Sequence, residues 1–212
     1  TDALYSVSAT NLRGDIGSVA VGAGNSLFYT LRDSGAVATS AYDSTSVKTL
    51  WTSTFTDWRL SGNGNSLVLY SKAGAQMPGV AYRLSPTGGT PTKILGPFNG
   101  LVVVPNTNGT RYLYSYNTKG EAKLAVQNAQ GAIISEITPV TIAEKCAWEP
   151  KRVNVVICGA PTSNIGSNEP DNWYKGLTHF SDNIWAFNTD TQVAEILVEP
   201  FEKFGVSVDL ID

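Results

Sequence analysis

Short apolar runs rich in Val, Ile, Leu, Tyr and Trp alternate along the chain with clusters of Gly, Asn, Asp and Pro. No window sustains apolar residues at i, i+3, i+4 and i+7 with a cap at each end. The nearest approach, residues 141–147, is too short and runs into Pro150. Alternation broken by turn residues predicts an all-β chain with strands of about five to eight residues.

The strands recur in a fixed order. A strand at 18–21, 57–60, 101–104 or 143–148 runs into a turn: Gly22-Ala-Gly-Asn25, Gly62-Asn-Gly-Asn65, Asn106-Thr-Asn-Gly109 or Glu149-Pro-Lys-Arg152. A second strand follows at 26–31, 66–71, 111–116 or 153–158. After a loop comes a third at 36–42, 79–84, 122–127 or 183–188. A second turn leads to a fourth at 47–52, 92–95, 132–137 or 193–198.

Corresponding apolar positions Leu27, Leu67 and Tyr112 lie about 40 to 45 residues apart, the spacing of a four-stranded propeller blade. One blade cannot bury both of its faces, so neighbouring sheets must stack about an axis. The expected architecture is a β-propeller of about four full blades, at roughly 18–56, 57–99, 100–142 and 143–200. Partial strands lie in 1–17 and 201–212, within a single domain. The terminal strands, read at 3–10 and 206–211, either close a mixed blade or belong to a segment of a larger propeller whose edges are covered otherwise.

Composition narrows the setting. Of the 212 residues, 42% are hydrophobic, enough for a substantial core, and only 16% are charged. Low charge with abundant Ser, Thr, Asn and Gly suits an exported β-protein. The net charge of −3 and the lack of a basic run argue against nucleic acid. No apolar stretch approaches the roughly 20 residues of a membrane span, so membrane attachment would need an anchor outside this chain.

Several stretches carry a family resemblance. They are Glu144-Lys-Cys-Ala-Trp148, Val155-Val-Ile-Cys-Gly-Ala-Pro161, Glu169-Pro-Asp-Asn-Trp-Tyr-Lys-Gly176 and Phe180-Ser-Asp-Asn-Ile-Trp185, with Pro97-Phe-Asn-Gly-Leu101 and Pro78-Gly-Val-Ala-Tyr82 upstream. Together they resemble motifs of exported or membrane-anchored propeller proteins, WD-repeat or TolB-like, of candidate-phyla (Patescibacteria-type) bacteria. The likeness covers about residues 55–212. It implies a propeller architecture, an extracytoplasmic place and more blades than four, and supplies no catalytic residue.

A hairpin turning at Arg152 sets Cys146 opposite Cys158, within reach of a disulfide; the alternative is two buried free thiols. Two cysteines cannot make a four-ligand zinc site. The loop 162–181 is the longest of its class and carries Glu169, Asp171, Asn172, Trp173, Tyr174 and Lys175. Either these residues bind a partner, as decorated loops on rigid frames do, or the rings cover the blade while the polar groups shape the turn. Glu169, Asp171 and Asp182 offer oxygen ligands, but at no calcium-loop spacing.

The single histidine, His179, reads as structural, and no nucleophile elbow, phosphate loop or His-Glu-x-x-His pair occurs. The expectation is a non-catalytic, extracellular or cell-surface module without metal or cofactor, recognising a protein or glycan or self-associating through its terminal strands. The alternative is a propeller glycosidase with paired carboxylates, or the accessory propeller of a hydrolase.

Overall fold

The computed structural model describes residues 13–62 and 67–210. The strand expected at 3–10 and most of the turn at 62–65 lie outside the described residues. Three antiparallel sheets follow one another. The first holds β1 (Ile16–Val21), β2 (Leu27–Leu31), β3 (Ala36–Ser40) and β4 (Lys48–Thr52) in chain order. The second has seven strands: β5 (Trp58–Gly62), β6 (Leu67–Ser71), β7 (Pro78–Leu84), β8 (Thr92–Pro105), β9 (Arg111–Thr118), β10 (Glu121–Asn128) and β11 (Ile133–Glu136). The last is β12 (Cys146–Trp148), β13 (Val155–Pro161), β14 (Asp182–Asn188) and β15 (Val193–Val198).

Stacking explains which strands lose the alternation of a half-exposed sheet. Leu67, Val68, Leu69 and Tyr70 of β6 are all buried, because that meander is covered on both faces. On one side Leu67 and Leu69 join Phe28, Val37, Trp58 and Leu84. On the other, Val68 and Tyr70 enter a larger cluster with Val102, Tyr112, Leu113, Val126, Trp148 and Phe187. Each fully buried leucine contributes about 1.5–3 kcal/mol of transfer free energy. At the outer margin β15 keeps Val193, Ile196 and Leu197 exposed.

Three expectations are corrected. The strands read at 92–95 and 101–104 are one element, β8, which leaves the outer position of one meander and enters the inner position of the next. Gly96 and Gly100, at φ +91° and +62°, let the chain fold over while Phe98 and Asn99 stay paired with Gly79 and Pro78. Residues 143–145, expected to open the first strand of the fourth unit, form a 3₁₀ turn (Ala143–Lys145) that carries Lys145 inward. Residues 206–210 are no strand; Ile211 lies outside the described residues. They follow the short helix α2 (Pro200–Phe204), and Asp182 N–H donates to the Val208 carbonyl at 2.8 Å while Leu210 N–H goes to a carboxylate.

In an antiparallel meander successive connections lie at opposite ends. The turns at 22–26, 41–47, 85–91, 106–110, 129–132, 149–154 and 189–192 sit at one end, the hairpin end. The other, here the loop end, gathers residues 32–35, 53–57, 72–77, 96–100, 118–120, 137–145, 162–181 and 199–210. Cys146 and Cys158 are directly paired on β12 and β13 and joined by a disulfide. It ties a three-residue strand to its sheet and contributes about 3 kcal/mol in the loop-closure model.

Candidate functional site

The loop 162–181 is fastened from inside. Its ends close through Thr162 N–H and the Ser181 carbonyl at 2.9 Å. Glu169 is buried; its carboxylate accepts from Trp173 N–H at 2.8 Å and its carbonyl from Asn117 Nδ2 at 2.6 Å. Asp171 opens the one-turn helix α1 (Asp171–Tyr174) and accepts Ala75 N–H at 2.8 Å. The Asn172 carbonyl takes Leu177 N–H at 2.8 Å, and Gly176, at φ +67°, turns the chain outward.

Of the six residues singled out from the sequence, Glu169, Asp171 and Asn172 thus hold the loop's own backbone or that of a neighbouring loop. Trp173 and Tyr174 are half-buried and pack against the large core cluster. Lys175 alone is exposed, followed by Gly176 and by Leu177 at 71% exposure. His179 is exposed as well. Leu177 escaped notice in the sequence because a lone leucine in a polar loop reads as an inward anchor.

Beneath the loop lies a polar centre that the sequence does not announce. The Lys145 side chain is fully buried, with Nζ 2.7 Å from both Asp182 Oδ2 and Asp209 Oδ1. The Phe180 ring lies 4.3 Å from the ammonium and the Trp173 ring 5.6 Å, so both faces add cation–π attraction. Asp209 also accepts Phe180 N–H at 3.1 Å and Trp173 Nε1–H at 3.3 Å. Asp182 Oδ2 takes Leu210 N–H at 2.8 Å, while Asp182 Oδ1 has no partner among the described residues. One aspartate from the C-terminal segment therefore clamps the loop, the 3₁₀ turn and that segment together.

The two carboxyls titrate in opposite directions. Burial raises Asp182 against the pull of Lys145 and the Leu210 amide. Burial also works against Asp209, but the hydrogen bonds from Lys145 and the Phe180 amide outweigh it and hold that carboxyl below its ordinary value. An aspartate lowered by folding stabilises the fold above its unfolded value and ceases to do so as pH falls through the folded one. Raised Asp182 does the reverse, stabilising below its unfolded value and losing that contribution as pH rises through its own. The stability deficit of Asp209→Asn against the parent should therefore be largest at neutral pH and shrink below about 3.9. Denaturant midpoints across that range test this, and a pH-independent deficit would contradict it.

A second carboxylate nearby is also occupied. Glu144 Oε1 accepts the Tyr70 hydroxyl at 2.9 Å. Burial first, and the Glu144 carboxylate second, push the phenols of Tyr70 and Tyr174 well above the ordinary tyrosine value. Among the described residues no group of three or more His, Cys, Asp or Glu side chains is placed to hold a metal ion, and Glu169, Asp171 and Asp182 point to separate donors.

No protein-family model matches the sequence, and no curated protein matches it significantly. Solved structures do match. The chain is similar to TolB from Acinetobacter baumannii at 15% identity and a TM-score of 0.59, over 87% of this chain and 43% of that one. It is similar to the β-propeller domain of the Trilobed protease from Pyrococcus furiosus at 11% identity and a TM-score of 0.53, over 87% and 57%. The tricorn protease matches at 9% identity and a TM-score of 0.58, over 85% and 16%. The chain spans less than two thirds of each of these structures. At such identities the likeness is one of architecture: this chain has the β-propeller fold.

Proposed function

We propose that the chain is a non-catalytic, exported propeller module that offers its loop end to a protein partner. The observation that carries this reading is the exposed tip Lys175-Gly176-Leu177 on a loop that Glu169, Asp171 and Asn172 fasten from inside. An apolar side chain held out on a preordered loop binds with little further loss of conformational freedom. Glu169, Asp171, Asn172, Trp173 and Tyr174 act in this reading as the frame, and Lys175 as a contact. The half-buried rings favour a protein over a stacked glycan. Glu144, Glu169, Asp171, Asp182 and Asp209 already accept structural hydrogen bonds or ion pairs, which disfavours a glycosidase acid–base pair. The disulfide, the low charge and the likeness to TolB support export.

Self-association is a second reading. An apolar groove of about 250 Å³ on the uncovered face of the last sheet, lined by Ala147, Ile157, Ile184 and Leu210, favours it.

A photo-crosslinking residue at position 177, compared with one at exposed position 192 on the hairpin end, tests the main reading. With extracellular and envelope proteins of the source organism, position 177 should give one discrete heterologous adduct, lost on Lys175→Glu, and position 192 none. Equal labelling at both positions, an adduct with the chain itself, or glycoside hydrolysis abolished by Glu144→Gln would each overturn it.

A further inference from the structure

At the loop end, between the first sheet and the start of the second, lies a cleft of about 310 Å³ lined by Gly17, Arg32, Thr56, Asp57, Trp58, Arg59 and Lys72. The lining holds three cations and one carboxylate in a chain of net charge −3, and the Asp15 carboxylate, paired with Arg13, lies within electrostatic reach of Arg32. Arg32, Arg59 and Lys72 form no ion pair with a described residue, as is true of most surface cations of this chain; what sets them apart is that one cleft gathers all three.

Arg32 is also set in place. Its Nε and Nη2 donate to the Ile16 carbonyl at 3.0 and 2.7 Å, which fixes the guanidinium and leaves Nη1 without a partner among the described residues. A preordered guanidinium beside a lysine is an arrangement for planar carboxylates. Asp57 in the lining opposes a multiply charged phosphate but can accept an N–H from a peptide. Phe55 directly precedes the lining residue Thr56; its half-exposed ring meets that of lining residue Trp58 edge to face at 5.0 Å and offers an apolar residue next to the acid a contact.

We infer that this cleft binds an acidic peptide segment, its Asp or Glu carboxylates on Arg32, Arg59 and Lys72 and a neighbouring apolar side chain against Phe55. The inference rests on the loop end being the partner-binding end, and it names the chemistry of what binds there. Opposite charge across such a surface accelerates encounter and selects the partner more than it adds affinity.

A fluorescent Glu/Leu peptide and its Gln/Leu isostere, titrated against the intact protein by anisotropy, provide the test. The acidic peptide should bind about tenfold tighter, and the difference should fade at high salt. Arg32→Gln and Lys72→Gln should each weaken it by about fivefold, while Lys151→Gln at the hairpin end leaves it unchanged. Equal binding of the isostere, indifference to Arg32→Gln and Lys72→Gln, or displacement of the peptide by inorganic phosphate at equal concentration would overturn the inference. Adduct formation at position 177 is read separately, so the partner-binding reading can survive the loss of this one.

Discussion

Lys145→Met is expected to lower the unfolding free energy by about 3–5 kcal/mol, the cost of leaving buried carboxylates without their counter-ion. In a chain of this size that is roughly a 10 °C drop in melting temperature. Methionine keeps the volume of the lysine stem, so the loss reports charge rather than a cavity. Asp182, whose side chain is fully buried, and Asp209, at 19% exposure, would then face each other across the methionine, with Asp182 Oδ1 unpartnered among the described residues. The triple variant Lys145→Met, Asp182→Asn, Asp209→Asn should recover most of the loss, because it removes the stranded charge together with the pair. At the exposed pair formed by Lys123 and Glu121, Lys123→Met should cause no measurable change. Urea unfolding of the four proteins decides the matter. A deficit in the triple variant as large as in the single one would mean that the stem's packing, not its charge, is what matters.

The clamp has a consequence for the loop. Asp209 receives Trp173 Nε1–H and Phe180 N–H as well as the ammonium, so a weakened centre frees residues 206–210 and the base of the 162–181 loop together. Preorganisation of the Lys175-Gly176-Leu177 tip therefore depends on a lysine buried beneath the loop. If the tip is the partner contact proposed above, Lys145→Met should loosen that contact even though Lys145 is not exposed.

The strands were legible because their signals are local. The turns around Gly22, Asn106 and Asn128 sit between alternating apolar runs, and each run became a strand within a residue or two at its ends, save 101–104, which β8 joins to 92–95. Helix α2 was also readable, from Pro200 at its first position and Gly205, at φ +66°, just past its end. What stayed hidden depends on contacts distant in sequence. Lys145, Asp182 and Asp209 are spread over the last third of the chain, and nothing in their spacing says that they meet. Nor does the sequence show that Trp173 and Tyr174 turn toward the core while Leu177 turns out; the hydrophobicity of the three side chains suggests no such division.

β8 taught the opposite lesson, since its glycines read as punctuation but act as hinges. A Cβ on Gly96 would overlap the Gly79 carbonyl oxygen and lie 3.1 Å from Val80 Cα, and both neighbours are backbone of the paired strand β7. Gly96→Ala should therefore cost about 3–5 kcal/mol. About 1–2 of that is strain at positive φ, and the remainder comes from forcing β7 and β8 apart where two meanders share one strand. Gly120→Ala separates the two contributions, because Gly120 has φ +80° but nothing within 4 Å of its would-be Cβ. It should lose only the strain, about 1 kcal/mol. Matched denaturation curves give the difference directly, and amide exchange at Leu95 and Ala81 should quicken in Gly96→Ala alone. Equal losses at the two positions would mean that β7 yields to the added methyl at no cost, and that the fold-over of β8 does not depend on this close approach.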